Sequence, residues 1–166
     1  MREPSHHAMT PSRQVCRSLD EEHRALLEML GRVEQALVRG TAADLARLVG
    51  PLQHHLEHEV GRHFDFEEQQ LFPLMADAGD GDMAALLTEE HGHIRAVVAE
   101  LAPLARAATV DALAPPAATL LKQLLLELLE RQVSHIQKET MALLPLLDDL
   151  LDEETDRRLA FEYAAG

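Results

Sequence analysis

The sequence predicts an all-α fold, an up-down-up-down antiparallel four-helix bundle, on three observations. Leu and Ala dominate the apolar residues and aromatics are only 3% of the chain. Runs of β-branched residues are missing, which disfavours strands and favours helices. Four stretches carry apolar residues stepping by three and four over roughly 25 to 35 residues, or ~35 to 50 Å of helix. The connections between these stretches are short, and short connections make neighbouring helices antiparallel.

The first helix is expected from Ser12 to Arg39, with Cys16, Leu19, His23, Leu26, Leu30, Val33 and Leu37 on its inward seam and Gly40 as the stop. The second begins near Thr41 or Asp44 and runs to about Met75. Its stripe is Leu45, Val49, Leu52, Leu56, Val60, His63, Glu67, Leu71 and Leu74, and Pro51 should kink it or split off its first turns. Asp77 to Asp82, with Gly79 and Gly81, is the clearest turn. The third helix covers about Met83 to Ala108, with Leu87, His91, Ile94, Val98 and Leu101 inward and a kink expected at Pro103. Pro115 and Pro116 suit the entry to the fourth, which runs to about Leu147 with Leu121, Leu125, Leu128, Gln132, His135, Glu139 and Leu143 on its seam. The expected organisation is a disordered tail over 1–11, a bundle over 12–147, and a short helix or frayed tail over 148–166.

A chain of 166 residues fits one domain and can bury a core without disulfides. With 29 acidic against 15 basic residues the formal charge is −14, which repels phosphate backbones and anionic membranes. Neither nucleic acid nor membrane is an expected partner. The single Cys16 can form no internal disulfide and supplies no Cys-x-x-Cys for redox or zinc chemistry. Residues 1–11 are polar, without the apolar core of a signal peptide, and no stretch approaches a membrane span. A soluble, unexported, cytoplasmic protein is the expectation.

Two stretches repeat one grammar. His63-Phe-Asp-Phe-Glu67 is followed by Leu71-Phe-Pro73-Leu74, and His135-Ile-Gln-Lys-Glu139 by Leu143-Leu-Pro145-Leu146. Residues four apart on a helix share a face, so each copy aims an imidazole and a carboxylate at one point. A second repeat, Glu21-Glu22-His23 and Glu89-Glu90-His91, interleaves with the first. All six of His23, His63, Glu67, His91, His135 and Glu139 fall on apolar seams, where an unpaired buried carboxylate or imidazole is costly. A bound cation would resolve those costs together. Four imidazoles and two carboxylates with no thiolate suit iron, manganese or zinc. The ligand count suits two metals better than one, each taking two histidines, with Glu67 and Glu139 between them.

In these residues the chain resembles the hemerythrin-like proteins of the His-His-Glu (HHE) cation-binding family. The matching elements are the Glu-Glu-His of the first helix, His63-Phe-x-x-Glu67-Glu68 with Leu71-Phe72-Pro73, Glu90-His91 with Ile94, and His135-Ile-x-x-Glu139 with Leu143 and Pro145. The likeness covers almost all of the chain. It implies a non-heme di-iron centre, oxo- or hydroxo-bridged, with His23 and His63 on one iron, His91 and His135 on the other, and Glu67 and Glu139 as bridges. In oxygen-carrying hemerythrins the third helix provides two histidines four apart, whereas here the residue four after His91 is Arg95. His93 is no substitute, because two residues along a helix is a turn of about 200°. The second iron would then keep an open position, suited to sensing, to peroxide or nitric oxide chemistry, or to iron handling. The iron-sulfur repair members carry an N-terminal cysteine motif, and Cys16 alone ranks that role low.

Three functions follow from these residues. The first is a binding protein that binds or senses O2 or another small ligand such as NO, peroxide or azide, or handles iron. The second is a di-iron redox enzyme acting on peroxide or nitric oxide, and the third a structural or regulatory bundle with zinc or no metal. Whether the protein is an enzyme stays open, with the balance toward binding. Around the six, Glu68 is placed to orient a ligand histidine, Cys16 reads as a buried small apolar residue, and Arg95 either gates the open position or faces solvent. His54, His55 and His58 read as a solvated face or, alternatively, an accessory site. His6 and His7 are given no role. Leu124, Leu126 and Leu129 widen the last seam, so a monomer or weak homodimer is expected.

Overall fold

A computed structural model describes residues 10–166. The disordered tail expected over 1–11 therefore lies, for residues 1–9 with His6 and His7, outside the described residues. Helix makes up 90% of the structure with no strand among the described residues, as an all-α fold requires. Five helices carry it: α1 (Gln14–Arg39), α2 (42–77), α3 (Gly81–Val110), α4 (115–150) and α5 (Glu153–Ala165). α1 packs on α2, α2 on α3, α3 on α4, and α4 back on α1, while α5 lies along α1.

The ends of these helices are set by identifiable groups. Gly40 stops α1 where a Cβ would come within 2.9 Å of the Ala36 backbone. The Thr41 hydroxyl then accepts from the Asp44 N–H while the Asp44 carboxylate accepts from the Thr41 N–H, a capping box that starts α2. Gly79 makes the turn into α3 at a φ of 99°, a left-handed conformation that favours glycine. α1 has no capping side chain of its own. The carboxylate of Asp148 accepts from the N–H groups of Ser12 and Arg13 at 3.2 and 2.7 Å, and that of Asp156 from those of Gln14 and Val15 at 2.9 and 3.0 Å. Most of the segment expected as a short helix or frayed tail is thus a helix, Glu153–Ala165, tied to the start of α1 through Asp156.

α2 and α4 are not uniform. α2 widens into π turns at Glu59–His63 and Glu67–Leu71, separated by one α turn, and α4 does so at Glu139–Leu143. Pro73 and Pro145 account for two of the three. Each lacks an N–H, and its ring would crowd the carbonyl four residues back, which lies inside the wide turn. There the last N–H before the proline bonds five residues back, Phe72 to Glu67 and Leu144 to Glu139. Each π turn adds a residue to its turn, so the buried stripe of α2 slips. Glu59 and Met75 are buried where a 3.6 period places Val60 and Leu74, which are only half-buried.

Pro51 and Pro103 both lie inside helices that run on through them, so Pro51 does not split off the first turns of α2. The carbonyls they leave without a donor belong to Arg47 and Ala99 on the exposed side, where water can bond them. The other seams are occupied much as the apolar pattern requires. Leu124 and Leu129 join the core, while Leu126 stays 53% exposed.

The core is divided. One cluster gathers Leu26, Leu30, Leu52, Leu56, Phe64, Ile94, Leu101, Leu125 and Leu128. The other gathers Val15, Leu19, Leu71, Met75, Leu87, Leu143, Leu147, Leu159 and Tyr163. Between them each long helix contributes polar residues, and that layer is the candidate site.

Candidate metal centre

The polar layer consists of His23 from α1, His63 and Glu67 from α2, His91 from α3, and His135 and Glu139 from α4, all at most 3% exposed. The structure brings together all six residues singled out in the sequence. They form two overlapping groups, His23, His63, Glu67 and Glu139, and Glu67, His91, His135 and Glu139. Within each group one ligand atom per residue lies within 4.8 Å of the others. The imidazoles turn Nε2 inward, at 3.1 Å from Glu139 for His23 and His135, and at 3.2 and 3.4 Å from Glu67 for His63 and His91. The Nε2 atoms of His91 and His135 face each other at 3.0 Å.

Three imidazoles are fixed from behind. Nδ1 of His63 meets Glu22 at 2.6 Å, that of His91 meets Glu68 at 2.9 Å, and that of His135 meets Glu90 at 2.9 Å. A carboxylate accepts, so each Nδ1 donates its proton outward and leaves the Nε2 lone pair for the interior. The carboxylates are themselves held, Glu22 by the hydroxyl of Tyr163, Glu68 by Arg95, and Glu90 by Lys138. His23 is the exception, its Nδ1 buried without a partner.

Electrostatics show what the layer lacks. Both oxygens of Glu67 and of Glu139 are buried without a hydrogen bond, a costly state for a carboxylate. Burial alone would lower His63 and His135, but the neighbouring carboxylates outweigh it and raise both, His135 to about 9. Burial would likewise raise Glu139 and Glu22, yet the facing imidazoles hold Glu139 well below the carboxylate range and Glu22 at about 2. The pocket demands positive charge and draws protons to supply it. Divalent cations meet the same demand and fill the orphaned oxygens, so the donor set fits metal.

Several neighbours take positions the sequence left open. The guanidinium of Arg95 bonds Glu68 at 2.6 Å and Asp65 at 3.1 Å and lies over the ring of Phe64. Phe64 stacks on His91 at 3.7 Å, nearly parallel. His93 is exposed beside Glu89, and Cys16 is buried as a small apolar residue whose thiol burial pushes up to about 12. Sequence reasoning assigned no role to Glu22, Glu90 or Tyr163. The first two had a signal, since each precedes a seam histidine in the Glu-His repeat. Tyr163, the chain's one tyrosine, had none.

Residues 15–147 match the hemerythrin HHE cation binding domain. The chain belongs to that family. The match spans the seams of all four long helices and every residue of the polar layer, including both His/Glu groups able to hold a metal ion. α5, with Tyr163 and Asp156, lies beyond the matched residues. No curated protein matches the chain.

Proposed function

We propose that the layer is a non-heme di-iron centre, with His23 and His63 holding one iron, His91 and His135 the other, and Glu67 and Glu139 bridging them. The observation that carries this reading is that the two four-residue groups share the same pair of buried, otherwise unpartnered carboxylates. Manganese or zinc would suit the same donors. Bound iron would supply redox change and open coordination for a small ligand such as O2, NO, peroxide or azide. The chain's own residues orient and enclose: Glu22, Glu68 and Glu90 fix the rings, and the flanking apolar clusters exclude water. That enclosure favours binding or sensing of a diatomic ligand, or iron handling, over turnover of larger substrates.

A second reading, turnover of peroxide or nitric oxide, is supported by Arg95. Turned to Glu68 and Asp65, it supplies no ligand in place of a second α3 histidine. Steady turnover lost in His91→Ala would favour this reading, and its absence from iron-loaded protein would reject it. In both readings residues 12–147 are the metal-binding unit, taken as an up-down-up-down bundle because short turns join α1 to α2 and α2 to α3, and 148–166 brace it. The net charge of −14 argues against nucleic-acid partners. No helix among the described residues is long and apolar enough to cross a membrane. We place the protein in the cytoplasm, as a monomer or weak homodimer, with its free Cys16 reduced.

The test is elemental analysis of untagged protein, with absorption spectra before and after dithionite, air and azide. About two irons per chain with an azide-sensitive near-ultraviolet band would support the di-iron reading. No bound transition metal after anaerobic ferrous reconstitution would leave only a structural or regulatory bundle.

A further inference from the structure

Of the three carboxylates behind the buried imidazoles, Glu68 and Glu90 are held by Arg95 and Lys138, partly exposed cations of the long helices. Glu22 is held differently. Its donor is the hydroxyl of Tyr163, an uncharged group on α5, beyond the residues matched to the family domain. Tyr163 is itself buried, and three residues of α2 fix its place. The Arg62 guanidinium bonds its carbonyl and lies 5.5 Å from the ring centre, the Phe66 ring stands 4.7 Å away, and the His63 ring meets it edge-on at 6.2 Å.

One oxygen of Glu22, Oε2, accepts both from this phenol and from Nδ1 of His63, the latter at 2.6 Å. The phenol oxygen and that nitrogen are 3.4 Å apart, so the carboxylate is the link between them. The other oxygen, Oε1, stands 3.6 Å from Nε2 of the half-exposed His58, too far for a good hydrogen bond. The phenol thus holds the carboxylate inward, against His63, rather than outward, toward His58 and water.

We propose that Tyr163 is a positioning residue for the metal held by His23 and His63, and that through it α5 docks more firmly when that metal is bound. The proposal rests on the di-metal reading of the centre. A hydroxyl that keeps Glu22 on Nδ1 keeps the ring of His63 turned with Nε2 to the interior, and a ligand fixed in advance costs less to order on binding. Coupling between two events is reciprocal. What the docked helix contributes to metal affinity, the metal returns to the docking of the helix. The other end of α5 is tied only to the backbone of α1, through Asp156 to the N–H groups of Gln14 and Val15, and this end does not touch the polar layer.

The probe is Co2+ alone, added to metal-free full-length protein. Three readouts are followed: affinity by chelator competition, the paramagnetically shifted ring N–H signals of the histidines, and amide hydrogen exchange. Two equivalents are expected in the wild type, and the ring signal altered by Glu22→Gln identifies His63. Tyr163→Phe keeps the ring and its packing and removes only the hydroxyl. It should weaken one equivalent about tenfold, leave the other unchanged, and move the His63 ring signal alone. Co2+ should slow exchange of the α5 amides in the wild type, and do so about tenfold less in Tyr163→Phe. Phe161→Ala, 74% exposed on the same helix, should change none of the three. Unaltered affinity, an unmoved His63 signal, or equal weakening of both equivalents overturns the positioning role. Exchange of α5 slowed equally in both proteins overturns the coupling. Absence of the two equivalents from the wild type would instead reject the buried centre itself.

Discussion

At Glu68 one carboxylate oxygen takes both Nδ1 of His91 at 2.9 Å and the Arg95 guanidinium at 2.6 Å. His63 and Glu67 recur 72 residues later as His135 and Glu139, and the same step from Glu68 lands on Thr140. The repeat therefore gives His91 a carboxylate and leaves His23 without one. Carboxylates behind a ligand histidine typically contribute 10–100-fold in metal affinity. In the proposed two-metal centre, Glu68→Gln should weaken one of the metals by roughly that factor, measured by chelator competition, and unchanged affinity would remove Glu68 from the site. The six clustered residues were legible because a polar side chain on an apolar seam is an anomaly that spacing exposes. Glu22 and Glu90 were marked only by preceding a seam histidine in the Glu-His repeat, because each lies about 100° off the seam. Seam counting says which residue faces inward, and not which flanking residue reaches across to a neighbouring helix.

The long helices were legible nearly to their ends, but their interiors departed from a uniform period in two ways. The π turns could not be read, because counting by 3.6 assumes the register that they change. Pro51 could have split off the first turns of α2, but the helices run on through both Pro51 and Pro103. A proline inside a helix costs up to about 3 kcal/mol relative to alanine. Since both are exposed with solvent-facing carbonyls behind them, Pro51→Ala should stabilise the protein by about 1–3 kcal/mol in urea unfolding; a loss of stability would show that α2 depends on the proline. The start of α1 tests a different contribution. Burial would raise Asp148, but hydrogen bonds from the N–H groups of Arg13 and Ser12 prevail and lower it. A depressed carboxylate stabilises fully above its unfolded value of ~3.9 and loses that contribution as pH falls through its folded value. Asp148→Ala should cost about 1 kcal/mol near neutrality, and the difference from wild type should begin to shrink in urea titrations below pH ~3.9 and vanish only below the depressed folded value. A difference that persisted in acid would assign the effect to packing.

At the scale of the whole molecule, the all-helical class followed from composition, whereas the division of the core did not. It arises because all six polar residues sit at one level, a coincidence between helices that no single seam displays. The two apolar clusters meet across buried carboxylates without hydrogen bonds, so a metal bound there as proposed should act on cooperativity as well as on stability. Exhaustive chelation should lower the melting temperature and broaden the transition. Amides around the Val15, Leu71 and Leu143 cluster should exchange faster than those around Leu30 and Leu125, where more apolar residues pack. A sharp transition unchanged by chelation would show the layer to be self-sufficient.

Glu67 and Glu139 each belong to both ligand groups. An ion entering either group would fix the two carboxylates in position and leave the vacant group with half its ligands already ordered. The entropy of arranging them would then be spent once for two ions. The repulsion between two neighbouring dications opposes this, but Glu22, Glu68 and Glu90 add three carboxylates just behind the rings. Loading should therefore be positively cooperative, and native mass spectrometry at substoichiometric metal should find molecules with none or two ions and few with one.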